Sequence, residues 1–128
     1  MKNTLGLRCV QLAALYALIG IAVGIMMAAS HDFSHKTLHA HANLAGWVSL
    51  GLMGLIYLAL PAVAGTRMAR AHFWLHNIGL PLMLIGVFLI YSGQVEAGEP
   101  FAKGGSSILG LGFVCFAINL WRNGSKTN

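Results

Sequence analysis

Four long apolar runs constrain this chain more than any other feature of its sequence. Hydrophobic residues make up 57% of its 128 residues and charged residues only 9%, whereas soluble domains carry roughly 25% charged residues. About 20 helical residues, at 1.5 Å of rise each, cross a hydrocarbon layer of roughly 30 Å. The runs therefore predict four transmembrane helices in a single domain, 1–128, at about 10–29, 38–63, 73–91 and 106–121.

The connections between these runs predict how the helices are arranged. Residues 30–37 and 64–71 are short links, and a longer glycine-rich stretch, 92–105, joins the third and fourth runs. Short links make consecutive helices antiparallel. We therefore expect an all-α, membrane-embedded, up-down four-helix bundle that has a lipid bilayer as its solvent.

The charged residues indicate an orientation in the membrane. Six basic residues fall at the two ends of the chain or in the 64–71 link, namely Lys2, Arg8, Arg67, Arg70, Arg122 and Lys126. All three acidic residues fall in the other two links, as Asp32, Glu96 and Glu99. The positive-inside rule then places both termini in the cytoplasm, as in a multi-pass protein of a bacterial inner membrane. The basic residues are scattered without interleaved aromatics, which argues against nucleic-acid binding.

Histidines near the ends of the apolar runs are the candidate functional residues. Polar groups are costly in a bilayer, so histidines there usually mark a metal, a heme or a proton path. The outer group is His31, His35, His39 and His41. Helical spacing puts His39 on a small, partly polar face and His41 on an aliphatic face toward lipid, a partner subunit or a heme edge. His35, His39 and His41 could bind heme iron or, with an oxygen ligand, copper or zinc.

The inner group is His72 and His76 at the start of the third run. Their i, i+4 spacing puts both on one helix face about 6 Å apart, which suits a two-ligand metal clip or a heme ligand with its partner. Arg70 lies nearby and could pair with heme propionates. We expect His41 and His76 to be separated by roughly 20 Å of helix rise. Either there are two sites, or one group does not bind.

The segment HAHANLAGWVSLGLMGLIYLALP, residues 39–61, resembles the second helix of the catalytic subunit of heme–copper oxidases, especially the nitric-oxide reductase and C-type branch. HFWLHNIG, residues 72–79, resembles the third helix of that subunit. The resemblance, over residues 35–90, implies that His41 or His39 binds a low-spin heme b. The other heme ligands and the copper ligands of the family come from later helices. This chain is therefore not expected to be a complete oxidase or reductase on its own.

Three functions are compatible with these residues. The first is a small heme b protein that transfers electrons between quinol and a periplasmic partner or binds a diatomic gas. It would be a homodimer, because a second copy could supply the missing axial ligand. The second is a heme-free copper- or zinc-binding protein in metal handling or oxidase assembly. The third is a structural subunit with histidines at interfaces. Cys9 and Cys115 form no CxxC motif, which argues against c-type heme attachment.

Overall fold

The computed structural model describes residues 4–126, and the regular secondary structure in that range is helical. In chain order the helices are α1 (Thr4–Ser30), α2 (Lys36–Ala59), α3 (Pro61–Ala64), α4 (Arg67–Tyr91) and α5 (Val95–Asn123). Of these, α1, α2, α4 and α5 are long and apolar enough to cross a membrane. The prediction of four membrane-spanning helices is therefore supported in length and composition. Lys2, one of the predicted orientation signals, lies outside the described residues.

Helices α4 and α5 pack closely because glycines on each helix meet the backbone of the other. Gly79 and Gly86 on α4 are seven residues apart, and so are Gly98 and Gly105 on α5. A Cβ on Gly79 would lie 2.5 Å from the backbone nitrogen of Leu109, and one on Gly98 would lie 2.6 Å from the carbonyl oxygen of Gly86. Small residues at contacts are typical of helix pairs in lipid, where close packing drives association.

Helices α1 and α2 are also in close contact through glycines. A Cβ on Gly6 would lie 2.8 Å from the carbonyl oxygen of Gly54, and one on Gly46 would lie 2.5 Å from the Cβ of Tyr16. Further along α1, Gly24 faces the ring of His39. Residue numbers therefore rise along α1 as they fall along α2. This packing holds the start of α2, with His39, against the end of α1.

The predicted boundaries of the last helix are wrong at its N-terminal end. The stretch 92–105 was expected to be a connection, but α5 begins at Val95 rather than at residue 106. Two of the glycines that indicated a loop, Gly98 and Gly105, pack against α4, whereas Gly93 and Gly104 have nothing within 4 Å. The charged residues in this stretch also fit a helix, because Lys103 and Glu99 form an i, i+4 ion pair at 2.7 Å on the exposed face.

The boundaries around the 64–71 link also differ from the prediction, and this changes the position of the inner histidines. Helix α2 ends at Ala59 rather than at residue 63, because Leu60 precedes Pro61 and is held outside the helical region (φ −123°, ψ 79°). Helix α4 begins at Arg67 rather than at residue 73, and Thr66 Oγ1 caps it by accepting the Ala69 N–H at 3.0 Å. The inner histidines therefore lie in the second and third turns of α4, not at its start.

The connection between α1 and α2 contains a turn that is held by side-chain hydrogen bonds. The Asp32 carboxylate accepts hydrogen bonds from the Ser34 hydroxyl at 2.5 Å and from the Ser34 N–H at 2.9 Å. These two bonds lower the pKa of the Asp32 carboxyl below its usual value, because they favour the charged form. His31 begins this turn in the left-handed region (φ 54°) and is exposed.

Candidate functional site

His72 and His76 lie side by side in the interior of the bundle. Both side chains are 0% exposed, and their ring centroids are 5.4 Å apart at an interplanar angle of 81°. His72 Nδ1 is hydrogen-bonded to the Tyr57 hydroxyl at 2.9 Å, and His76 Nε2–H donates to the Ala45 carbonyl at 3.1 Å. Helix α2 therefore supplies a hydrogen-bond partner to each of the two rings, so it fixes one nitrogen of each.

Helix α5 covers these two rings with aromatic side chains. The Phe116 ring lies 5.3 Å from His72 and 5.5 Å from Tyr57, and the Phe113 ring lies 5.4 Å from His76. One turn further along α5, buried Asn119 donates to the Val63 carbonyl at 2.9 Å. The Thr66 hydroxyl donates to Asn119 Oδ1 at 3.0 Å. The inner histidines thus sit between a polar cluster and an aromatic wall.

One nitrogen of each inner histidine is buried without a hydrogen-bond partner among residues 4–126, namely His72 Nε2 and His76 Nδ1. A carbonyl can only accept, so His76 must carry its proton on Nε2, and its Nδ1 presents a lone pair. Buried polar atoms are almost always paired, and an unpaired one costs about 1–3 kcal/mol. Two such atoms on neighbouring rings are the least expected feature of this structure.

The outer histidines point in three different directions. His39 inserts between helices, where its Nδ1–H donates to the Gly20 carbonyl of α1 at 2.7 Å. His41 Nδ1–H donates to the Thr37 carbonyl one turn earlier in α2, at 2.8 Å. The His35 ring stacks on Phe88 of α4, with centroids 5.0 Å apart. The inward direction of His39 and the outward direction of His41 agree with the helical spacing.

These directions do not form the three-histidine ion site that the outer group could have supplied. No group of three or more His, Cys, Asp or Glu side chains that could hold a metal ion occurs between Thr4 and Lys126. An ion shared by His35, His39 and His41 would therefore need a different arrangement of these side chains. In the arrangement that the structure shows, one metal ion could contact only one of these three imidazole rings.

His41 borders a pocket on the outward face of α2. The pocket has a volume of about 290 Å³, and its lining consists of Ala40, His41, Leu44, Ala45 and Ser49. Of these lining residues, Leu44 is 63% exposed. All the lining residues belong to α2, so the pocket is a concavity with one protein wall.

The pocket coincides with a π-helical section of α2, Ala42–Ser49, which the sequence did not predict. Ser49 Oγ donates to the Leu44 carbonyl, five residues earlier, at 2.7 Å. Sections of π-helix within α-helices are rare and frequently lie at functional sites. Every pocket residue from Leu44 onward belongs to this section.

The structure corrects the expected separation of the two histidine groups. His76 donates to the carbonyl of Ala45, which is only four residues from His41. Four residues correspond to about 6 Å of helix rise, not the expected 20 Å. The expectation was wrong because α4 begins six residues early, which moves His76 away from the helix end.

Arg70, the expected partner of heme propionates, does not lie near the His41 pocket. It is exposed in the first turn of α4, six residues before His76, or about 9 Å of rise toward the opposite end of the bundle from His41. The inner pair does not fit a heme either, because both rings are 0% exposed and packed between α2 and α5. A flat macrocycle could reach them only if these helices separated.

A comparison with curated proteins finds one distant relative. The chain is 27% identical over 131 residues to a Cbb3-type cytochrome c oxidase subunit, CcoN1, of Stutzerimonas stutzeri. The alignment covers 80% of this chain and 28% of the relative, so the chain spans little more than a quarter of that protein's length. No family model and no solved structure matches. Together with the four apolar helices, this similarity indicates that the chain is a multi-pass membrane protein with a distant relationship to subunit I of heme–copper oxidases.

Proposed function

We propose that this chain is a small membrane heme b protein in which His41 binds the iron. The observation that carries the proposal is the hydrogen bond from His41 Nδ1–H to the Thr37 carbonyl, beside an outward-facing pocket. Such a bond fixes the ring and its tautomer and leaves the Nε2 lone pair for a metal. The small side chains of Ala40 and Ala45 leave room for a flat macrocycle to approach this helix face.

His39, the other candidate for this role, is better explained as a packing residue. Its Nδ1–H donates to the Gly20 carbonyl, and its ring fills the space left by Gly24 of α1. A heme on His39 would have to enter between α1 and α2. The distant relative is a cytochrome c oxidase subunit, which favours a heme or redox function over a structural one.

A second polypeptide would complete the site, because α2 supplies only one wall. We propose that this is a second copy of the chain, related by a two-fold axis so that its own His41 becomes the other axial ligand. The outward face of α2 is apolar enough to meet another helix, with Leu44, Trp47, Val48 and Leu52 all exposed. A heme held by two histidines supplies one-electron transfer, so the expected partners are a quinol and a periplasmic acceptor.

We further propose that the helices cross the bacterial inner membrane in up-down order, with both termini in the cytoplasm. In support, contacts with α4 join Tyr57 to His72 and Ala45 to His76, and His35, just before α2, to Phe88, so residue numbers rise in one helix as they fall in the other. The basic residues at the chain ends and between α2 and α4 fit the positive-inside rule. His41 would then lie in the periplasmic half of the membrane.

The experiment is an absorption spectrum of the detergent-purified protein, oxidised and dithionite-reduced, from cells able to make heme. We expect a Soret band and sharp reduced α and β bands of a low-spin heme, because both axial positions are filled by imidazole. His41→Ala should abolish these bands, and exposed His31→Ala is the matched control that should retain them. A colourless wild-type protein, or full heme in His41→Ala, would refute the proposal.

A further inference from the structure

We propose that His72 and His76 form a second site, independent of the heme, that binds a single copper(I) ion. The inference starts from the two nitrogens, His72 Nε2 and His76 Nδ1, that are buried and without a partner in the described chain. Both side chains are 0% exposed and lie on one face of α4. An ion bound between them would satisfy both atoms at once.

The opposite nitrogen of each ring is held as it is in metal-binding histidines. Such histidines almost always donate their second N–H to a carbonyl, a carboxylate or a water. His76 donates to the Ala45 carbonyl at 3.1 Å, which makes its Nδ1 the free lone pair. His72 Nδ1 is 2.9 Å from the Tyr57 hydroxyl, and in the tautomer in which His72 Nδ1–H donates to this hydroxyl, His72 Nε2 carries the second lone pair.

The distance between the rings is compatible with one shared ion. If metal–nitrogen bonds are about 2 Å and each nitrogen lies about 1.1 Å from its ring centre, two rings on one ion have centroids at most about 6 Å apart. The observed centroid distance is 5.4 Å. At this distance the two arms would meet at about 120° at the ion, so a near-linear copper(I) needs the two ring centres to move about 0.8 Å further apart.

The ligand set selects the ion. Zinc in proteins is almost always four-coordinate, and no group of three or more candidate ligands occurs among the described residues. Copper(I) is stable with two imidazole nitrogens alone. Its single charge also lowers the cost of burial, because the Born energy of an ion scales with the square of its charge.

The surroundings of the pair favour a cation that is not hydrated. The Phe116 ring lies 5.3 Å from the His72 ring and the Phe113 ring 5.4 Å from the His76 ring. Aromatic faces attract cations, most strongly where water is excluded. Because neither histidine is accessible, the ion would enter when α5 moves away from α4 or before these helices pack. Loading of the folded protein should therefore be slow and release slower still.

The test uses the full-length protein, purified without metal and supplied anaerobically with copper(I) from a coloured copper(I) chelator. We expect one copper per chain, with an X-ray absorption spectrum of a low-coordinate, nitrogen-bound copper(I). His76→Gln should lose this copper while its side-chain amide can still donate toward the Ala45 carbonyl, and His72→Gln should lose it as well. Thermal unfolding of each variant shows whether it remains folded.

His41→Ala is the matched control, because it should retain the copper while it loses the heme. Failure of the heme proposal therefore leaves this inference untouched, and the reverse also holds. The inference is overturned if the folded wild-type protein takes up no copper(I), or if a folded His72→Gln or His76→Gln variant takes up as much as the wild type. Uptake of Zn²⁺ in preference to copper(I) overturns the choice of ion.

Discussion

The hydrogen bond between Tyr57 and His72 can be removed with almost no change in shape, by the substitution Tyr57→Phe. The phenyl ring keeps its edge contact with Phe116, 5.5 Å away, but the 2.9 Å bond to His72 Nδ1 and the hydrogen bond between the hydroxyl and the Asn119 side chain are lost. Interhelical hydrogen bonds in membrane proteins contribute about 0.6 kcal/mol on average. Here the loss also leaves His72, 0% exposed, with no described partner on either nitrogen. We therefore expect a decrease of about 1–3 kcal/mol in the free energy of unfolding.

The assay is equilibrium unfolding of the purified protein in mixed micelles as the fraction of denaturing detergent is raised. Tyr91→Phe is the matched control, because Tyr91 is exposed at the end of α4 and the same atom is removed. If Tyr57→Phe unfolds at the same detergent fraction as Tyr91→Phe, the buried bond contributes nothing measurable. The account of His72 as a residue held in place by α2 would then be wrong.

Two further substitutions test the packing on which both candidate sites depend. Gly86→Ala should lower the free energy of unfolding by about 1–3 kcal/mol in the same assay, because its Cβ would meet the backbone of Ala102. Gly110→Ala is the control and should not lower it, because nothing lies within 4 Å of the added Cβ. Equal effects of the two substitutions would contradict the proposed glycine packing. Thr66→Ala should lower the free energy of unfolding by about 1–2 kcal/mol, because it removes both the cap at the Ala69 N–H and the hydrogen bond to Asn119 Oδ1. Thr66→Ser keeps the hydroxyl and should remain near the wild type.

The sequence predicted the number of long helices well, because hydropathy over about 20 residues is set by the thickness of a bilayer. The predicted start of α5 was wrong because glycines such as Gly98 and Gly105 are compatible with two different structures. In water glycine interrupts helices, whereas in lipid it marks where two helices touch. The Glu99–Lys103 spacing was a signal of helix that could have corrected this boundary. For α4, Thr66 just before Arg67 was a helix-capping signal that could have corrected the predicted start of that helix.

The candidate sites were predictable only in part. Helical periodicity was enough to separate the inward direction of His39 from the outward direction of His41. The π-helical section Ala42–Ser49 was not foreseen, because its residues carry no composition that distinguishes them from α-helix. The hydrogen-bond partners of the inner histidines could not be predicted either, because every residue has a backbone carbonyl and the sequence does not indicate that the one of Ala45 is the partner.

Ala45 connects the two candidate sites, because its side chain and its carbonyl belong to different ones. Its side chain lines the pocket beside His41, and its carbonyl accepts the hydrogen bond from His76 Nε2–H. The carbonyl bond keeps His76 Nδ1 as a lone pair inside the bundle, while the small side chain keeps the outward face open. One residue of the π-helical section thus contributes to both candidate sites. A larger side chain at this position would close the pocket and leave the backbone acceptor intact, so it would affect the proposed heme site without removing the hydrogen bond to His76.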